Sequence, residues 1–164
     1  MTKEIKASFE LPGTVEEAFA AISSERWPEA KAAHLADDSR LAGRQERPDG
    51  SVTLECSRAL PSGVPGFLAR FLPKDGRVVQ TDDWSPAGAD GVRRGTWTLD
   101  IPGSPGEVRG TVRLEPSGTG SRQVNEGTVK VNIPLVGGKA ESFIADMAQK
   151  VMAKEADVLR GMLT

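Results

Sequence analysis

The sequence predicts an α+β fold with seven antiparallel strands and one long helix at its C-terminal end. Three observations predict it. Residues 39 to 133 form runs of alternating apolar and polar residues, cut by clusters of Gly, Pro and Ser. The stretch from Gly138 to Leu163 instead carries apolar residues at helical spacing. Ahead of both, one alternating strand runs directly into a helix-capping signature.

The elements follow in order. Ile5, Ala7, Phe9 and Leu11 alternate with Glu4, Lys6, Ser8 and Glu10, the pattern of a half-buried strand, and Pro12-Gly13 ends it. Thr14 and Glu17 have the spacing of a capping box, and Val15, Ala18, Phe19 and Ile22 then share one helical face. A second short helix follows with Pro28 in its first turn, running to about residue 36. "RPDGS", "SPAGADG", "PGSPG" and "EPSGTGS" then separate strands, as hairpin turns do. Val52, Leu54 and Cys56 share one strand face. So do Trp97, Leu99 and Ile101; Val108, Val112 and Leu114; and Val129, Val131 and Ile133. With 39–47 and 77–84 counted, six strands follow the first. The last helix is about 39 Å long, with Ala140, Ile144, Met147, Ala148, Val151, Val158, Leu159 and Met162 on one broad stripe.

The "NIPLVGGKAES" junction before that helix raises the question of a phosphate-binding loop. A P-loop needs glycine five residues before its Gly-Lys and a hydroxyl residue after it. Those positions hold Ile133 and Ala140, so the nucleotide reading fails at both ends. Gly137 and Gly138 are expected instead to turn strand into helix through backbone angles that other residues resist.

Composition narrows the function classes. A chain of 164 residues with net charge −2 is expected to form a single domain, 1–164, with no general attraction to nucleic acid. No apolar run is long enough to span a bilayer, and the opening residues lack the apolar core of a signal peptide, so stable membrane insertion is not expected. One cysteine rules out an internal disulfide framework and is compatible with a cytoplasmic location. A single histidine and no tyrosine leave little for acid–base chemistry near neutral pH. His34, Asp37 and Asp38 lack the converging ligands a metal needs, and no cofactor is expected.

The order strand, two short helices, six strands and long helix resembles the helix-grip fold of the START-like (SRPBCC, birch-pollen-allergen-like) superfamily. The likeness is carried by "ASFELPGTVEEAFAAIS", by "VKVNIPLVGGKAESFIADMAQKVMAKE" and by the hairpin ladder between them. More narrowly, the chain resembles an actinobacterial branch known only as a domain of unknown function. The resemblance implies a curved sheet wrapped around the C-terminal helix, with a cavity for a small hydrophobic ligand such as a lipid, polyketide or quinone. It leaves open a cyclase- or hydrolase-type enzyme, and a regulatory module that binds protein, because fold does not fix function. Oligomeric state is not legible.

Within that frame the cavity lining is expected to come from Leu54, Cys56, Trp97, Leu99, Val112 and Val129, and from Val131, Met147 and Val151. Glu155 is the anomaly: it lies about 20° from Ile144 on the helical wheel, within the apolar stripe. A carboxylate there needs a cationic or hydrogen-bonding partner, or must give up its charge. Strand parity offers Arg58 or Arg93 as that partner. The group would then be either a structural ion pair or one that orients a polar ligand head. Gln123 and Asn125 point inward if their strand is regular, and outward if Gly127 marks a bulge. Asp82 and Asp83 are adjacent on a strand and so face opposite ways, which excludes a paired-carboxylate site. The connection 60–76 is too long for a hairpin and carries Val64, Phe67, Leu68, Phe71 and Leu72. It reads as a lid in which Phe67 and Phe71 meet ligand, as a satellite cluster on the sheet edge, or as a membrane-docking wedge.

Overall fold

The computed structural model describes residues 2–35 and 37–164. The first strand, β1 (Lys3–Leu11), leads into α1 (Val15–Ile22) and α2 (Arg26–Leu35). Thr14 and Glu17 form the expected capping box, each side chain accepting the other's backbone N–H at 3.1–3.2 Å. The expected end of α2 near residue 36 falls at the edge of the described residues. Six strands follow: β2 (Arg40–Glu46), β3 (Val52–Ala59), β4 (Arg77–Trp84), β5 (Arg93–Asp100), β6 (Gly106–Ser117) and β7 (Gly120–Val131). A short helix, α3 (Gly66–Ala69), lies between β3 and β4, and α4 (Gly137–Met162) closes the chain.

All seven strands form one antiparallel sheet in the order β1-β7-β6-β5-β4-β3-β2. The sheet is α+β helix-grip in form: it curves beneath α4, which packs mainly on β1 and β7, while α1 and α2 complete the cover. The β6–β7 hairpin turns through Gly118-Thr119, with Gly118 at φ +57°, a two-residue loop suited to the strands' twist. Glu141, buried in the first turns of α4, accepts the N–H of Val131 at 2.9 Å and ties the helix to the end of β7.

Glycines on the inner face shape the floor of the sheet. Gly110 and Gly127 are register partners, and Trp97 pairs with Gly110 from the other side. A Cβ on Gly110 would lie 2.6 Å from the Trp97 ring, and one on Gly127 would lie 2.7 Å from it. The indole therefore lies across two positions that have no side chain, and its Nε1 donates to the Thr111 carbonyl at 3.1 Å. Both glycines are needed for this close approach.

The junction into α4 differs from expectation. The left-handed residue is Leu135, at φ +72°, and its side chain is fully exposed, whereas Gly137 has no positive φ. Gly137 is required for space instead: a Cβ there would lie 2.6 Å from the Val131 carbonyl oxygen.

Candidate functional site

Between the sheet and the second half of α4 lies a cavity that is partly open to solvent. The space that the centre of a water-sized sphere can reach is about 50 Å³. That holds a few waters at roughly 10–15 Å³ each, and falls below the ~150 Å³ of an apolar cavity that admits benzene. The expected room for a lipid or polyketide is thus not open in this conformation. Large aromatic and long flexible side chains (Trp27, Trp84, Trp97, Met152 and Arg58) stand around the space.

The lining is apolar along the helices and mixed along the sheet. Ile22, Trp27, Ala148, Val151 and Met152 supply the first, and β4 brings Gln80 and Asp82 to the second. On β4 the inward parity is Val78, Gln80, Asp82 and Trp84, so Asp82 turns in and Asp83 out. Asp82 pairs in register with Trp97 and accepts both its hydrogen bonds from the Gln80 amide, at 3.2 Å. Burial, only partly offset by that amide and by nearby Lys31, pushes the Asp82 carboxyl up to about 6. Asp82 was legible only as half of an adjacent pair; the signal pointing inward was its shared parity with Val78 and Trp84.

Glu155 also faces the cavity, but the expected arginine partner is replaced by a lysine. Lys31 of α2, only 2% exposed, reaches Glu155 at 3.3 Å and lies 5.3 Å above the Trp27 ring. Arg93 is committed elsewhere. Its guanidinium stacks 3.6 Å from the Phe19 ring, donates to the Ser85 carbonyl at 2.9 Å and approaches Glu16 at 3.6 Å. That fastens α1 to the sheet away from the cavity. Arg58 does line the cavity, half-buried.

The remaining predicted residues divide. Trp97, Leu99, Val112 and Val151 stand at the cavity wall. Leu54, Val129 and Val131 are buried in the surrounding core, and Met147 is half-buried; none of the four reaches the wall. Cys56 is buried beside a second, much smaller void, and desolvation pushes its thiol up to about 11, so it stays protonated. Gln123 and Asn125 are both buried and both line the cavity, because β7 pairs with β6 and β1 without a register break at Gly127.

No residue of the 60–76 connection touches the cavity, so Phe67 and Phe71 stand apart from it. Leu68 is 5% exposed in the core, with Val64, Phe67 and Phe71 packed around it, and Lys139 sits 4.5 Å over the Phe67 ring. The segment thereby packs onto the main core and does not form a separate cluster on the sheet edge. His34 lies at the exposed end of α2, while Asp38 ties the end of β3 to the start of β4, accepting from the Ala59 N–H and from Arg77, each at 2.6 Å.

The profile of a family described as "Protein of unknown function (DUF2505)" matches residues 6–163. The chain belongs to the DUF2505 family. This DUF2505 chain is 28% identical over 169 residues to the uncharacterized protein Rv0481c of Mycobacterium tuberculosis, covering 94% of its own length and 93% of the relative's. In three dimensions it is similar to TTHA0849 from Thermus thermophilus, with a TM-score of 0.67 at 15% identity over 98% and 97% of the two chains. It is also similar to norcoclaurine synthase from Thalictrum flavum in complex with dopamine and hydroxybenzaldehyde, at TM-score 0.57 and 15% identity over 99% and 86%. At that identity the likenesses establish the helix-grip fold and nothing finer. No helix of the DUF2505 chain is long and apolar enough to cross a membrane among the described residues.

Proposed function

We propose that this protein binds a small, largely apolar molecule in the cavity between the sheet and α4. The observation that carries the reading is the lining itself. Three tryptophans (Trp27, Trp84 and Trp97) surround a space into which only a few polar groups converge: Arg58, Gln80, Asp82, Gln123, Asn125 and Glu155. Pockets that hold ligands combine an apolar body with a few orienting polar groups in this way. A core serving stability alone gains nothing from six polar side chains turned toward one space. The same fold in norcoclaurine synthase is seen with two small aromatic molecules, which supports ligands of that size. The cytoplasm is the proposed compartment, supported by the buried free thiol of Cys56. The mycobacterial relative supports placement in an actinobacterial branch of the START-like superfamily.

One observation favours a second reading, an enzyme. A carboxyl with a pKa of about 6 inside an apolar cavity is suited to giving and taking protons near neutral pH. Asp82 would then be the acid/base, in place of Glu155, which Lys31 holds.

Native mass spectrometry of freshly purified protein tests the binding reading. One equivalent of a retained small molecule, displaced by added indole, is the expected result. A bare chain that also takes up no indole contradicts it.

A further inference from the structure

The cavity does not end at its own wall. A second void of about 10 Å³, one water in size, lies between α2 and strands β3 and β4. Arg58 and Gln80 line both spaces and form the partition between them. The small void differs sharply in character from the large one. Lys31 and Arg58 bring two cations to it, Ser39 and Ser57 bring hydroxyls, and no carboxylate lines it.

Two of those groups are unsatisfied. Ser39 is 7% exposed, and its Oγ is fully buried with no hydrogen-bond partner among the described residues. Arg58 makes no hydrogen bond or ion pair of its own among the described residues, although it is half-buried. The other cations nearby have counter-charges: Lys31 has Glu155, and Arg77 has Asp38 and also donates to the Ser57 hydroxyl, although Arg77 Nη2 is buried without a partner among the described residues. A buried hydroxyl left without an acceptor is costly, and the Arg58 guanidinium at the same void has no partner of its own among the described residues. An acceptor from outside the chain removes that cost.

Resting on the binding reading above, we propose that the ligand is an organic acid, its body among the tryptophans and its carboxylate on Arg58 at the partition. Asp82, bonded to Gln80, and Glu155, paired with Lys31, both border the partition. Arg58 is the cation at the cavity wall that has no ion-pair partner among the described residues, which makes it the anchor for an anion. A planar carboxylate matches the fork of a guanidinium, and it suits a void this small better than a tetrahedral head does. Arg58 has a long, flexible side chain, so its movement joins the two spaces and makes room for an aromatic ring. Ser39 Oγ then donates to the second carboxylate oxygen once the head enters the void.

Calorimetric titration with benzoate and with benzamide separates this proposal from the reading beneath it. The two probes have the same shape, and only benzoate is charged at pH 7.5. The expected result is benzoate binding at least tenfold tighter than benzamide. Arg58→Met should abolish that preference, bringing benzoate to the affinity that benzamide has in the same variant, and Arg58→Lys should keep part of it. Ser39→Ala should weaken benzoate alone. Equal affinity for both probes in the native protein overturns the acid proposal and leaves the binding reading standing. Binding of neither overturns both. A preference that survives Arg58→Met, in a variant with native circular dichroism, places the anion elsewhere and also overturns the proposal.

Discussion

Replacing Glu155 by leucine should destabilise the protein by about 3–5 kcal/mol, the range for stranding one member of a buried pair. The cost comes from Lys31 and not from the lost carboxylate. Lys31 is 2% exposed with Glu155 as its only ion-pair partner among the described residues, so the substitution leaves an ammonium in the core without its counter-charge. The double variant Lys31→Met with Glu155→Leu removes both desolvation penalties, and replacing a whole buried pair with apolar groups is often neutral or better. It should recover most of the loss. Urea unfolding midpoints of the two single variants and the double variant give the coupling directly. A single variant that loses under 1 kcal/mol would mean that the pair is hydrated.

Asp82→Asn should move stability the other way. The Asp82 carboxyl is held at about 6, above its ordinary 3.8, so between those values the folded chain binds more protons than the unfolded one. Stability therefore falls as pH rises from about 4 to 6, and the full deficit persists above that window. At roughly 1.4 kcal/mol per pH unit, less what cavity water screens, the deficit is on the order of 1–3 kcal/mol. Asparagine keeps the shape and carries no charge. The variant and the native chain should match near pH 3.5, and the variant should be the more stable at pH 7.5. A constant difference across that range would assign the effect to packing. A group kept at such a cost is expected where stability has been traded for function.

Much of this arrangement is legible in the sequence, and the rest fails for identifiable reasons. Alternation places Arg58 on an inner face, and helical spacing turns Glu155 inward, because these depend only on local geometry. Gln123 and Asn125 are open between two faces in the sequence, because a bulge at Gly127 is decided by the pairing of β7 with its neighbours. Lys31 is not legible. Helix α2 has a weak apolar face, a lysine on it reads as solvated, and its meeting with Glu155 joins residues 124 positions apart. Arg93 was legible as inward yet not as remote from the cavity, since parity gives the face of a strand and not the position along it. Cavity size is the least local property of all. It depends on how Trp97 settles over Gly110 and Gly127, and on the rotamers of Arg58 and Met152.

On the proposed function, a small molecule enters the space between the sheet and α4. Two-dimensional ¹⁵N–¹H spectra during a titration with indole test it most directly, because the groups at the wall carry their own N–H signals. The indole N–H resonances of Trp27, Trp84 and Trp97 and the side-chain amides of Gln80, Gln123 and Asn125 should shift together and saturate at one equivalent. Shifts confined to the surface around Leu135 and Phe67, with the signals of those six side chains unmoved, would contradict a ligand in this space.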